Sequence, residues 1–217
     1  MLFYLRDMFS GKEFVVASLL YILILVITFT LHEFAHAFVA YKCGDITPKA
    51  TGRVTLNPLA HIDPLGLLCS VVFLFGWAKP VQINPLNFKN QRKGMLLVSC
   101  AGVIANLIIA FVSCGIASAI FAFGNMNSTF IFVLWLFFNI LYIFNVSIAV
   151  FNFLPFYPLD GFQFIFALSK PNSKFITFMV KYGFLILMAL LLFASNILDM
   201  IIGYISLPIQ LFWGLIF

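Results

Sequence analysis

The segment TFTLHEFAHAF, Thr28 to Phe38, sets two histidines and a glutamate within five positions of an otherwise oily stretch. The apolar run around it, Phe14 to Tyr41, is 28 residues long and lies between Glu13 and Lys42. As a helix it measures about 42 Å at ~1.5 Å per residue, against the ~20 residues a bilayer needs. It is expected to cross a membrane. Arg6 and Lys12 ahead of it, with Ala35-His-Ala37 resembling a cleavage site, are marks of a removable leader. However, the stretch exceeds the ~7 to 15 residues of a leader's apolar core, and cleavage there would sever the His/Glu cluster. A retained anchor is the reading.

Composition agrees. The 217 residues are 64% hydrophobic and 9% charged, with a mean hydropathy of +1.12, whereas soluble domains carry about a quarter charged residues. From Gly94 to Leu159 there is no Asp, Glu, Lys, Arg or His, and the turn-like cluster Gly124-Asn-Met-Asn-Ser-Thr129 divides that stretch into two helices, about Gly94 to Phe123 and from Phe130 onward. Two shorter runs follow, Tyr182 to Leu198 and Met200 to Phe217, with Asp199 between them and Pro208 in the second. The expected fold is an all-α polytopic membrane protein of about five transmembrane helices. It forms one domain over 1–217, with a core at 14–168 and additional C-terminal helices at 174–217.

The connection from Lys42 to Lys93 differs in character. Thr51-Gly-Arg-Val-Thr-Leu-Asn-Pro58 alternates polar and apolar residues, which predicts a short β segment. Leu65 to Ala78 is a 14-residue apolar run between Asp63-Pro64 and Lys79-Pro80, too short for a span and expected to form a re-entrant or interfacial hairpin. With the N-terminus outside, ten of the twelve basic residues fall inside and only Arg6 and Lys12 outside, so basic loops predict N-out, C-in. The net charge of +5 suits loops beside anionic headgroups. Nothing in it supports a nucleic-acid partner.

On a helix His32 and His36 share one face with Glu33 beside them. That spacing, HExxH, is the pattern in which two imidazoles grip Zn²⁺ and a glutamate serves as general base. Burial sharpens the reading, because a charged group at membrane depth costs about 2.5 to 3.5 kcal/mol, so three ionisable groups together require a strong partner such as a metal. A third ligand is needed. Glu13 and Glu33 are the only glutamates, which leaves His61, Asp45, Asp63, Asp160, Asp199 and the four cysteines. Asp160 is the one set in membrane-embedded sequence, Asn152-Phe-Leu-Pro-Phe-Tyr-Pro-Leu-Asp-Gly161, whose prolines break the helix and let a carboxylate turn inward. Capping of a helix from Gly161 to Leu168 is the competing role for Asp160.

His32-Glu-Phe-Ala-His36, Gly52-Arg-Val-Thr-Leu-Asn-Pro-Leu-Ala-His-Ile-Asp-Pro-Leu-Gly66, Phe75-Gly-Trp-Ala-Lys-Pro-Val81, Ala101-Gly-Val-Ile-Ala-Asn106 and Asn152 to Gly161 occur in order over about residues 14 to 168. Together they resemble the site-2 protease family of intramembrane zinc metalloproteases, in its compact prokaryotic branch without PDZ or CBS domains. The resemblance implies one zinc per chain held by His32, His36 and Asp160, with Glu33 as catalytic acid/base. It also implies Asn152 and Asn106 at the substrate, transmembrane proteins as substrates, and a prokaryotic cell membrane as location. Ala35 and Val103 stand where many members carry Gly and Pro, and neither is a ligand position. His61 is a candidate to support the site from behind its ligands or to hold its own loop, and Asn145 is expected to bond between helices. The cysteines, without C-x-x-C spacing, read as packing thiols. The rival to a protease is a catalytically silent relative that binds membrane helices, or a metal-dependent transporter. An intact Glu33 favours the enzyme, since metal binding alone needs no base.

Overall fold

The computed structural model describes residues 11–73, 76–170 and 173–217. Arg6 and the Phe75 that opens one of the quoted motifs lie outside them. Helix α1 runs Lys12–Cys43 and stops at Gly44, whose φ of 115° is left-handed. Glycine adopts this conformation freely, and it turns the next two N–H groups back onto the carbonyls of Tyr41 and Ala40. After the short α2 (Thr47–Ala50) and α3 (Pro58–His61) comes α4 (Pro64–Phe73), then a 3₁₀ turn at Pro85–Asn87. The bundle continues with α5 (Gln91–Phe123), α6 (Thr129–Asn152), α7 (Asp160–Leu168), α8 (Lys174–Phe193) and α9 (Ser195–Gly214). Five of these, α1, α5, α6, α8 and α9, are long and apolar enough to cross a membrane, the number the sequence predicts.

The β segment does not form, and no strand occurs among the described residues. Gly52 turns the chain at φ 69°. Asn57 then caps α3 by accepting the Leu59 N–H at 3.1 Å, with Pro58 opening the helix. Side chains supply part of what a partner strand would offer: His61 Nε2 donates to the Thr55 carbonyl at 2.8 Å. The apolar run at 65–78 does fold back. At 10 residues α4 reaches only about 15 Å, and past 74–75, outside the described residues, the chain returns along it. Gly76 comes against Ser70 and the Trp77 carbonyl against Gly66, and the Lys79 N–H donates to the His61 carbonyl at 2.8 Å. Leu67 and Val71 pack on the cluster of Ala17, Tyr21 and Leu25 in α1.

Asp45, just beyond α1, ties this connection down. Its carboxylate accepts from the Thr47 N–H and hydroxyl at 3.0 and 2.6 Å, the Asn84 N–H at 2.7 Å and Asn87 Nδ2 at 2.8 Å. Burial pushes its pKa up, but the bonds from Thr47, Asn87 and Asn84 prevail and hold it below the usual carboxylate value.

Inside the bundle α5 lies against α1, α6 and α7. Ala110, Cys114, Tyr142, Val146 and Val150 form one core, covered by Ile201, Ile202, Ile209 and Trp213 of α9. Asn145 Nδ2 bonds Thr28 Oγ1 at 3.0 Å, joining α6 to α1 as expected of a polar group between membrane helices.

The C-terminus lies at the end of the bundle that carries the α5–α6 turn. Trp213 Nε1 donates to the Phe111 carbonyl at 2.9 Å, and Phe217 packs edge-on to Phe123 at 5.8 Å, so α9 ends beside the α5–α6 turn. Its first turns lie at the other level, where Leu198 and Ile202 line the same cavity as His36 and Asp160. Helix α9 thus runs parallel to α5. Helix α8 follows α7, whose Leu168 carbonyl takes a bond from Arg92 near the start of α5, and it ends where α9 begins. The helix break falls at Ala194 instead of Asp199, which α9 carries in its second turn.

Candidate metal centre

Helix α1 presents His32 and His36 one turn apart on the face packed against α5, both 7% exposed. The backbone of α5 comes unusually near, because a Cβ on Gly102 would lie 2.6 Å from His32 Nε2 and nearer still to His36 Nε2. Only glycine leaves that space. Asp160 arrives from the break after α6 as the first residue of α7. The position before α7 is Leu159, with no side-chain cap, so the carboxylate is not spent on the helix end and points to the histidines.

The three ligand atoms form a nearly equilateral triangle. His32 Nε2 and His36 Nε2 are 3.1 Å apart, and Asp160 Oδ2 is 3.3 Å and 3.2 Å from them. A tetrahedral ion with bonds of ~2.0 to 2.2 Å separates its ligand atoms by about 3.3 to 3.6 Å, so the triangle is within a few tenths of an ångström of the size zinc requires. Asp160 Oδ2 is buried without a hydrogen-bond partner, a costly state for a carboxylate that a cation relieves. Among the described residues this trio is the one group of His, Cys, Asp or Glu side chains placed to share a metal.

The groups behind the ligands set their protonation. His36 Nδ1 is 2.8 Å from the Val98 carbonyl, which only accepts, so Nδ1 carries the proton and the Nε2 lone pair faces the centre. Asn106, fully buried, has its amide 3.1 Å from His32 Nδ1. With the amide oxygen turned toward that nitrogen, His32 takes the same tautomer and the otherwise partnerless Oδ1 is satisfied. Asn106 is therefore a support of His32.

The other candidates for the third ligand have separate duties. Asp45 holds the turn at 84–87, Asp63 Oδ1 accepts the Gly66 N–H at 2.8 Å at the start of α4, and Asp199 lines another part of the cavity. His61 is buried and bound to its own loop. Glu33 is outside the triangle but lines the same cavity of about 1110 Å³, and its Oε2 accepts the Val81 N–H at 3.2 Å. Asn152 lines that cavity too, with Nδ2 donating to the Ile148 carbonyl at 3.1 Å. The sequence reading missed Gly102, the Val98 carbonyl and the Val81 N–H. The first and last lie inside quoted motifs, but backbone groups leave no mark of chemistry in a sequence.

A helical bundle of membrane-spanning character that buries two imidazoles and a carboxylate at metal-ligand spacing is an intramembrane metal-site protein. Comparison with known proteins gives the family. Over 171 residues, 78% of the chain and 78% of the relative, it is 42% identical to a Bacillus subtilis protein named "Putative zinc metalloprotease YwhC". It is 32% identical over 75% of its length to the Rip2 protein of Mycolicibacterium smegmatis and 29% identical over 69% to that of Mycobacterium tuberculosis, both bearing the same zinc metalloprotease description. The matches cover 62% and 57% of those two longer chains. No family model and no solved structure matches. The chain belongs to the site-2 protease family of zinc metalloproteases.

Proposed function

We propose that this protein is an intramembrane zinc endopeptidase that hydrolyses peptide bonds within or near the transmembrane segments of other membrane proteins. The observation that carries the reading is the metal-sized triangle of His32, His36 and Asp160 opening, with Glu33, onto one large cavity among membrane-spanning helices. When bound, zinc supplies Lewis acidity and makes a water acidic near neutral pH. Glu33 is the proton carrier. Its Oε2 is held by the Val81 N–H, which leaves Oε1 to accept a proton and later return it to the departing amine. Asn152 sits at the end of α6 on the cavity wall and is suited to bind the backbone of an unwound segment. Tyr21, Leu25, Phe29 and Phe144 give the cavity apolar walls, fit for side chains that come from lipid.

An intact helix hides its carbonyls in its own hydrogen bonds, so substrates are expected to need helix-weakening residues at the cut. The test is cleavage of one model transmembrane peptide with and without a Gly-Pro or Asn insertion near its cytoplasmic end. The weakened peptide should be cut, the rigid one spared, and a zinc chelator should stop the reaction until zinc is restored. Absence of zinc-dependent cleavage of both peptides would contradict the protease reading, and equal cleavage of both would remove only the unwinding requirement.

The proposed setting is a prokaryotic cell membrane, with residues 43–93 cytoplasmic and the turn at 124–128 outside. Because α9 ends beside that turn, a reporter fused after Phe217 should also read outside. A cytoplasmic signal there, with one from residue 126 outside, would contradict the parallel course of α5 and α9.

A further inference from the structure

The motif Gly52-Arg-Val-Thr-Leu-Asn-Pro58 has no part in the metal site, yet it holds a buried cation. Arg53 is 7% exposed, and no carboxylate pairs with it among the described residues. A charge so placed is costly unless its donors are used. Its Nη1 donates to the carbonyl of Ala60 and, at 3.1 Å, to that of Lys79. It thereby joins the stretch before the re-entrant hairpin to the stretch after it.

Lys79 is held at both faces of its residue, since its N–H donates to the His61 carbonyl at 2.8 Å while its C=O takes Arg53. His61 is in turn fixed by the bond from its Nε2–H to the Thr55 carbonyl. Pro80 follows, with φ set by its ring, and the next group along the chain is the Val81 N–H on Glu33 Oε2. Resting on the proposed role of Glu33, we infer that Arg53 is a positioning residue for catalysis: it clamps Lys79-Pro80-Val81 so that the Val81 N–H fixes Glu33 Oε2 and leaves Oε1 facing the reacting groups. Arg53 itself touches no metal ligand and does not line the cavity. A displacement of about 1 Å in such an arm can cost on the order of a hundredfold in rate.

Arg53→Gln loses the charged two-carbonyl hold, and Val81→Pro removes the N–H that Glu33 accepts. Each should lower kcat about tenfold to a hundredfold with KM and zinc content unchanged, and Arg53→Gln should also lower the melting temperature because it leaves buried carbonyls unpaired. Because both act on one link, the double variant should be no slower than the slower single, and Arg53→Lys, which keeps charge and several donors, should recover much of the loss. Hydrogen exchange provides a readout independent of turnover, with the Val81 amide protected in the wild type and exposed in Arg53→Gln. Unchanged kcat in Arg53→Gln, zinc lost together with activity, or single effects that multiply in the double variant would each overturn the inference. If no peptide is cleaved by the wild type, the protease reading fails, and the exchange measurement still decides whether the clamp holds Val81.

Discussion

Glu33→Gln is expected to yield a folded, zinc-loaded protein that hydrolyses its substrate about a hundredfold to ten-thousandfold more slowly than the wild type. Glutamine preserves the side chain's size and can still accept the Val81 N–H through its carbonyl oxygen, so the arm beside the cavity stays in place. The change removes a group able to take and give a proton. Glu33 is not a corner of the ligand triangle, which is why metal content should not move. Metal analysis and a cleavage assay on one preparation separate the two roles. Full activity in the variant would exclude Glu33 as the proton carrier, and loss of zinc would make it a ligand.

Gly102→Val should have the opposite signature, with zinc and activity lost together. The first carbon added there already lies 2.6 Å from His32 Nε2, within the shell of atoms that meet the ion, and valine's branches extend further. Helix α5 cannot step back easily, because Asn106 and the Val98 carbonyl on the same helix hold the two imidazoles from behind. Zinc per chain, measured after gel filtration to confirm folding, should fall to near zero in Gly102→Val, while Val103→Ala one position along retains it. A zinc-replete Gly102→Val protein would mean that the helices are not packed as closely as the site requires.

These two expectations differ in how far the sequence alone could reach them. His32, Glu33 and His36 are legible because helical spacing and the cost of charge in lipid act locally. Asp160 was one of several candidates, and what singles it out is the commitment of its rivals, with Asp45 bonded by Thr47, Asn84 and Asn87 and Asp63 holding Gly66. Such bonds join distant parts of the chain and have no periodicity. Thr51 to Pro58 carried the alternation of a strand, but a strand needs a neighbour, and here Arg53, Asn57 and His61 meet backbone groups with their side chains. Asn106 was placed near the site by family likeness, and its position behind His32 depends on which face of α5 meets α1.

The account stands on zinc held by two imidazole nitrogens and one carboxylate oxygen within the membrane bundle. X-ray absorption at the zinc edge of the purified, membrane-reconstituted protein measures this directly. The expected spectrum has nitrogen and oxygen neighbours at about 2.0 to 2.2 Å, with the outer-shell scattering of two imidazoles, and it should change when Asp160→Ala removes one oxygen. A sulfur shell at about 2.3 Å, or a wild-type spectrum indistinguishable from that of Asp160→Ala, would contradict it.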